Sequence, residues 1–156
     1  MSRAALFVRW VLGFLAATFL LIGLSFLFIP KAIMGVVDIA TESSTGVADI
    51  RAVYGGLDLA IGILLGLSFL RKEWSTGLAV GTHTCACMAG GRLLGMARDG
   101  ASDILTFGLL GVELLGAALA AVAWFLARQP EPASATPAPA NAAATGEPTT
   151  STEHAP

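Results

Sequence analysis

The stretch ADIRAVYGGLDLAIGILLGLSFL, residues 48–70, decides the fold class of this chain. Most of it is apolar, and its length matches the roughly 20 residues that a helix needs to cross a bilayer. It nevertheless carries Arg51 and Asp58. A charged residue at the centre of a membrane helix costs about 2.5–3.5 kcal/mol on insertion scales. The stretch therefore predicts a membrane helix that turns its charges toward other helices.

The whole chain has the composition of a membrane protein. Of its 156 residues, 55% are hydrophobic and 13% are charged, with a mean hydropathy of +0.75, whereas soluble domains carry about 25% charged residues. No basic stripe with interleaved aromatic residues is present, so no nucleic-acid partner is expected. The expected partners are the lipid bilayer and either a small amphiphilic ligand, a second copy of the chain or another membrane protein.

Four apolar segments predict an all-α, up-down four-helix bundle in an integral membrane domain at 1–128. The predicted spans are about 7–29, 50–70, 76–96 and 104–126. A loop of mixed polarity is predicted at 31–48, with Asp49 as the N-cap of the second span. Short connections at 71–74 and 97–103 make neighbouring spans antiparallel. The first segment is too long for a signal peptide and has no small-residue cleavage site, so it is predicted to be retained.

The two ends of the chain add a tail and an orientation. Residues 129–156 hold six of the seven prolines and almost no large apolar residue, which predicts a disordered tail. Basic residues flank the spans mainly on one side, which is therefore predicted to be cytoplasmic. They are Arg3, Arg9, Arg71, Lys72 and Arg128. The prediction is a multi-pass protein of a bacterial inner membrane with both termini inside.

Ionisable residues recur at similar depth in three of the predicted spans. A rise of about 1.5 Å per residue places Asp58 and Glu113 near the midplane. Arg92 lies about four residues from the outer end of its span, and its long side chain can reach a carboxylate at mid-depth. It is therefore predicted to pair with Asp58, with Glu113 or with both. Helix side chains lean toward the N-terminus, so Arg51 leans outward. Its predicted partners are the rim acids Asp49, Asp99 and Asp103.

Helical periodicity groups these residues into a candidate site. At about 100° per residue, one stripe of the second span contains Arg51, Tyr54, Gly55, Asp58 and Gly62. The predicted ligand-binding residues are Arg51, Tyr54, Asp58, Arg92 and Glu113. His83 lies about 180° from Arg92, so it is expected either to face another helix interface or to lie outside the site. No H-E-x-x-H or G-x-S-x-G motif occurs, so no catalytic residue, metal or cofactor is predicted.

Small residues at special spacing indicate close helix packing. Pairs four residues apart suit close contact between membrane helices; they are Gly62 and Gly66, Gly77 and Gly81, and Gly91 and Gly95. Cys85 and Cys87 lie about 200° apart around a helix and are interpreted as small apolar fillers.

Two motifs together resemble a known family. They are RAVYGGLDLAIG at residues 51–62 and GRLLGMARDG at residues 91–100. With an acid in the fourth helix, here Glu113, they resemble the bacterial family catalogued as domain of unknown function 4345. The matching positions are Arg51, Ala52, Tyr54, Gly55, Gly56, Gly91, Arg92, Gly95, Asp99 and Gly100. The resemblance implies a small four-helix membrane protein and no particular activity.

Two functions stay open at this point. The first is a module that binds a small lipid or quinone-like molecule, or a proton, through the buried charges, because ionisable residues inside a membrane are functional by default. The second is a structural or accessory subunit of a membrane complex, in which the charges hold the helices together. An intramembrane enzyme is a third hypothesis that no motif supports.

Overall fold

The computed structural model describes residues 2–40 and 43–129, and these residues are all-helical without strands. The five helices are α1 at Arg3–Phe28, α2 at Pro30–Val36, α3 at Ser44–Leu70, α4 at Trp74–Asp99 and α5 at Ile104–Ala127. Helices α1, α3 and α5 are long and apolar enough to cross a membrane. The all-α prediction is confirmed for this part of the chain. Residues 130–156 of the predicted tail lie outside the described residues.

Helix α4 is as long as α1 but less apolar than predicted. It has 26 residues, yet it is not among the three helices whose composition suits a membrane span. Thr82, His83, Thr84 and Arg92 all lie in its middle. The predicted span 76–96 is therefore helical, and its crossing of a membrane stays a prediction.

The prediction of a loop at 31–48 is wrong, because much of this range is helical. Pro30 begins α2 at the first helical position, where its fixed φ suits a helix and its missing N–H costs nothing. Ser43 begins α3, and its side chain accepts a hydrogen bond from the Gly46 N–H at 2.9 Å. Ser43, rather than Asp49, is therefore the N-cap, and Asp49 lies within the helix.

Two short turns connect the long helices, as predicted. Gly100 ends α4 with a φ of 73°, a left-handed conformation that glycine adopts without the steric cost of a Cβ. Asp103 then caps α5 by accepting hydrogen bonds from the Thr106 N–H at 2.7 Å and the Thr106 hydroxyl at 2.9 Å. At the other end of the molecule, residues 71–73 separate α3 from α4.

Helices α1 and α3 approach each other through glycines. A Cβ placed on Gly23 would lie 2.4 Å from the Leu59 nitrogen, and one placed on Gly62 would lie 2.6 Å from the Leu20 nitrogen. These backbones are too close for any side chain between them. The matched residues run in opposite directions along the two helices, so α1 and α3 are antiparallel.

The core lies in one half of the molecule. It joins the N-terminal part of α1, the C-terminal part of α3, the N-terminal part of α4 and the C-terminal part of α5. Its buried members include Leu12, Leu65, Leu78, Ala120 and Ala123. We call this part of the molecule the core half. We call the opposite part, which contains Arg92 and Glu113, the charged half.

We expect the tight α1–α3 contact to make Gly62 intolerant of even a methyl group. Gly62→Ala should destabilise the fold by about 1–3 kcal/mol, the range for overpacking, because its Cβ would meet the backbone of α1. Gly66→Ala is the matched control: it lies one turn further along α3 with nothing within 4 Å, and alanine is favoured over glycine by up to about 1 kcal/mol in a helix. Thermal unfolding in detergent, followed by circular dichroism, measures both. Equal melting temperatures for the two variants would contradict this packing.

We expect the Asp103 cap to make stability depend on pH. The hydrogen bonds from the Thr106 N–H and then the Thr106 hydroxyl lower the pKa of Asp103 below its usual value. A lowered pKa in the folded state contributes stability above the unfolded value of about 3.9 and loses it as the pH falls through the folded value. Asp103→Ala should therefore melt earlier than the wild type at pH 7, and the gap should close in strong acid. Asp103→Asn, which can still accept the N–H bond, should melt between the two. A difference in melting temperature that does not change with pH would exclude the charge of Asp103 as the cause of that difference.

Candidate ligand site at the Arg92–Glu113 ion pair

Arg92 of α4 and Glu113 of α5 form the central polar contact of the charged half. The Arg92 Nη2 lies 2.6 Å from the Glu113 Oε1, and the Arg92 Nε donates to both carboxylate oxygens at 3.1 Å. The Glu113 side chain is only 9% exposed. A carboxylate in such surroundings needs a cation and hydrogen bonds to stay ionised. The sequence left the partner of Arg92 open between Asp58 and Glu113, and the structure selects Glu113.

The guanidinium of Arg92 keeps hydrogen-bond donors that do not contact Glu113. Its side chain is 27% exposed, and its Nη1 makes no hydrogen bond within the described residues. Because a guanidinium has five N–H donors, Arg92 can hold Glu113 and still donate to another group. Tyr54 and Asp103 also lie close enough to act electrostatically on Arg92.

The ion pair belongs to a longer α4–α5 contact. Toward the core half, a Cβ on Gly116 would lie 3.2 Å from the Cys85 Sγ. Further along, the rings of His83 and Trp124 meet edge to face at 5.8 Å. His83 therefore contacts α5 at a different level from Arg92. Both residues contact α5, so the alternative that His83 faces another helix interface is wrong, whereas its position outside the Arg92–Glu113 contact agrees with the other alternative. Cys85 is a buried filler and Cys87 is exposed.

The first family-like motif adopts an unusual backbone. Residues Arg51–Leu57, with the sequence RAVYGGL, form a π-helical segment inside α3. Such segments are rare and occur frequently at functional sites. Its i→i+5 geometry changes the angle per residue, so the predicted stripe divides. Gly55 and Gly62 are buried and Asp58 is half-buried, whereas Arg51 and Tyr54 are exposed.

The divided stripe packs on α1. The Tyr54 ring lies 5.3 Å from the Phe26 ring, and a Cβ on Gly55 would lie 3.0 Å from the Leu27 nitrogen. The Nη1 of Arg51 donates to the Leu27 carbonyl oxygen. The prediction that Arg51 pairs with Asp49, Asp99 or Asp103 is therefore wrong: Arg51 instead satisfies a carbonyl at the C-terminal end of α1, where the last turn leaves acceptors unpaired.

Asp58 is placed apart from Arg92. It forms no ion pair or hydrogen bond within the described residues and is not among the groups that act on Arg92. Its backbone carbon would lie 3.0 Å from a Cβ on Gly23 of α1. The structure thus joins Arg92 to Glu113, whereas Tyr54 packs on Phe26 of α1 and Arg51 binds the Leu27 carbonyl.

Sequence reasoning missed two features of this region. Gly23 packs as tightly as Gly62, and its signal is a lone glycine inside an apolar segment. The π-helical turn has no periodic signal, although two adjacent glycines weaken an ordinary helix at that point. Of the glycine pairs, Gly77 and Gly81 pack closely, whereas Gly91 has no neighbour within 4 Å. The described residues contain no group of three His, Cys, Asp or Glu that could hold a metal ion.

The fold and the site define a class: an all-helical protein with helices apolar enough for a membrane and an arginine–glutamate pair between two of them. The sequence model of the family described as Domain of unknown function (DUF4345) matches residues 7–125, which reach into all four long helices. The chain belongs to this family, as its motifs predicted. No curated protein matches the chain, and no solved structure matches it.

We expect replacement of Arg92 and replacement of Glu113 to lower the stability of the fold by different amounts. Arg92→Met should destabilise the fold by about 3 kcal/mol, near the low end for a broken buried pair, because it leaves the Glu113 carboxylate buried and unpaired. Glu113→Leu should cost less, because the freed guanidinium is partly exposed. The double variant Arg92→Met/Glu113→Leu should recover most of the loss.

Unfolding in detergent, followed by circular dichroism, measures all three variants. Arg98→Met is the matched control, because it replaces an exposed arginine of the same helix that forms no ion pair within the described residues. It should leave the melting temperature unchanged. A double variant no more stable than Arg92→Met would contradict this account of the pair.

Proposed function

We propose that this chain is a multi-pass membrane protein that binds a small lipid or quinone-like molecule through Arg92. The observation that carries the proposal is the state of the Arg92 guanidinium: Glu113 holds its Nε and Nη2, while its Nη1 makes no hydrogen bond within the described residues and the side chain is 27% exposed. A cation held in this way presents donors of defined direction to an incoming oxygen atom. Ionisable residues inside a membrane domain are functional by default.

The surroundings of Arg92 favour an amphiphilic ligand. A carbonyl, phosphate or carboxylate oxygen is the group that a guanidinium binds best. Large apolar residues are exposed on the same two helices in the charged half, among them Leu93, Leu94 and Phe107, and they suit the apolar part of a lipid or quinone. In the proposed site, Tyr54 lines the wall near Arg92.

Asp58 and Arg51 have different places in the proposal. Asp58 is a half-buried carboxyl without a partner within the described residues, and it serves as a proton acceptor or as a second polar contact on α3. Arg51 orders the junction of α1 and α3 through the Leu27 carbonyl and binds the ligand at its rim. The proposed site therefore keeps Arg51, Tyr54, Asp58, Arg92 and Glu113, with Arg92 at its centre.

The proposed architecture is an up-down four-helix bundle at 1–128 across a bacterial inner membrane. Helices α1, α3 and α5 supply three apolar spans. Helix α4 completes the bundle because it packs on α3 in the core half, where a Cβ on Gly77 would meet the Ser68 side chain at 2.8 Å, and on α5. The surplus of Lys and Arg at the core-half end supports cytoplasmic termini.

A second candidate function is an accessory subunit of a membrane complex. The same ion pair favours it, because both carboxylate oxygens of Glu113 accept hydrogen bonds from Arg92 and need no ligand. In that function the pair holds α4 to α5, and an exposed helix face binds a partner membrane protein or a second copy of the chain.

Native mass spectrometry of the protein extracted gently from its own membrane tests the proposal. We expect a reproducible small-molecule adduct on the wild type, whose mass gives the ligand class. The adduct should be lost in Arg92→Gln, weakened in Asp58→Asn and retained in Arg98→Gln, which removes an exposed arginine from the same helix. Loss in Arg98→Gln as well would show that general charge, rather than the site, holds the adduct.

The charge-swapped variant Arg92→Glu/Glu113→Arg separates the two functions. Both predict that it folds, because an ion pair is still possible between the two positions. A ligand site predicts loss of the adduct, since the accessible group is now a carboxylate. A wild-type chain that carries no small molecule and co-purifies with another protein, and a swapped variant that keeps that protein, would overturn the binding function in favour of the accessory subunit.

A further inference from the structure

The core-half end of the molecule carries a cluster of cations away from the Arg92–Glu113 pair. It consists of Arg3, Arg9, Arg71, Lys72 and Arg128. Among the described residues at this end, Glu73 is the one acid, and it forms no ion pair there. The described residues of this end therefore carry five cations and one acid.

Two of these cations line one groove between α1 and the α3–α4 turn. Its walls are Ala5, Arg9, Phe69, Leu70, Lys72 and Trp74. The groove thus combines two positive charges with aromatic and aliphatic surface.

The positions of both cations are held by the fold. The Arg9 guanidinium lies 6.0 Å from the centres of both the Phe69 and the Trp74 rings, a distance at which cation–π attraction acts. Lys72 lies in the turn with a φ of 61°. The turn is closed by the Glu73 N–H, which donates to the Ser68 carbonyl at 2.9 Å. Arg9 of α1 and Lys72 of the α3–α4 turn therefore line the same groove.

We propose that this groove binds the headgroup of an anionic phospholipid from the membrane leaflet at this end. Arg9 and Lys72 contact the phosphate, Phe69 and Leu70 contact the first part of an acyl chain, and Trp74 lies at the level of the headgroups, where tryptophan is enriched. Basic pockets at the end of membrane helices attract anionic headgroups. A zwitterionic lipid is disfavoured because its ammonium group would meet the surrounding positive charge.

The inference rests on the proposed membrane placement but not on a ligand at Arg92. The groove and the ion pair lie in opposite halves of the molecule. A chain that binds anionic lipid in this groove and carries no Arg92-dependent adduct would support this proposal and overturn the other. A chain that stays soluble without detergent or lipid would overturn the membrane placement and this proposal together.

Native mass spectrometry of the purified, delipidated full chain, titrated with short-chain phosphatidylglycerol or phosphatidylcholine, tests the groove. We expect the first phosphatidylglycerol to bind at least about fivefold more tightly than phosphatidylcholine, since one cation near a membrane surface contributes about that factor. Lys72→Gln should weaken this first binding about fivefold, and so should Arg9→Gln. Arg9→Lys should retain most of it.

Lys72→Gln keeps the proposal testable if the loss of the Arg9 ring contacts prevents folding, because Lys72 is exposed in a turn. Arg128→Gln is the matched control: it removes a cation from the same end, outside the groove, where Arg128 stacks 5.0 Å over Trp124. Arg128→Gln should leave the affinity for the first phosphatidylglycerol unchanged. Equal binding of the two lipids, no effect of Lys72→Gln, or an equal loss in Arg128→Gln would each overturn a defined lipid site.

Discussion

The buried carboxylate of Glu113 is the constraint on which the charged half depends. An ionised carboxylate among apolar helices is strongly unfavourable without a cation and hydrogen bonds, and Arg92 supplies both through three contacts. Because the two residues lie on different helices, their pairing sets how far α4 is shifted along α5. The Cys85–Gly116 and His83–Trp124 contacts lie at successive levels of the same antiparallel register.

The other helix pair is held by a different force. Helices α1 and α3 are joined by backbone contact at Gly23 and Gly62, where the absence of side chains lets the two helices pack closely. The two pairs meet through the core of the other half, around Leu12, Leu65 and Leu78. One half is therefore closed by packed side chains, whereas polar groups with unused hydrogen-bonding capacity remain in the other.

This division gives the two halves different chemistry. In the charged half, the Arg92–Glu113 ion pair lies between α4 and α5, and the neighbouring α3 departs from regular helix geometry at Arg51–Leu57. At the end of the core half, cations gather around aromatic rings on a surface groove. The first arrangement suits recognition of one small molecule, and the second suits a charged headgroup.

The sequence by itself determined the all-α class, the approximate bounds of the long helices and the membership of Arg92 and Glu113 in one polar cluster, because hydropathy and the cost of buried charge act locally or by depth. Only the tertiary structure decided that Glu113 rather than Asp58 pairs with Arg92, since depth does not show which helix faces which. It also decided that Arg51 binds the Leu27 carbonyl and that α3 contains a π-helical turn. Periodicity assumes a constant angle per residue, and that assumption fails at the π-helical turn of Arg51–Leu57.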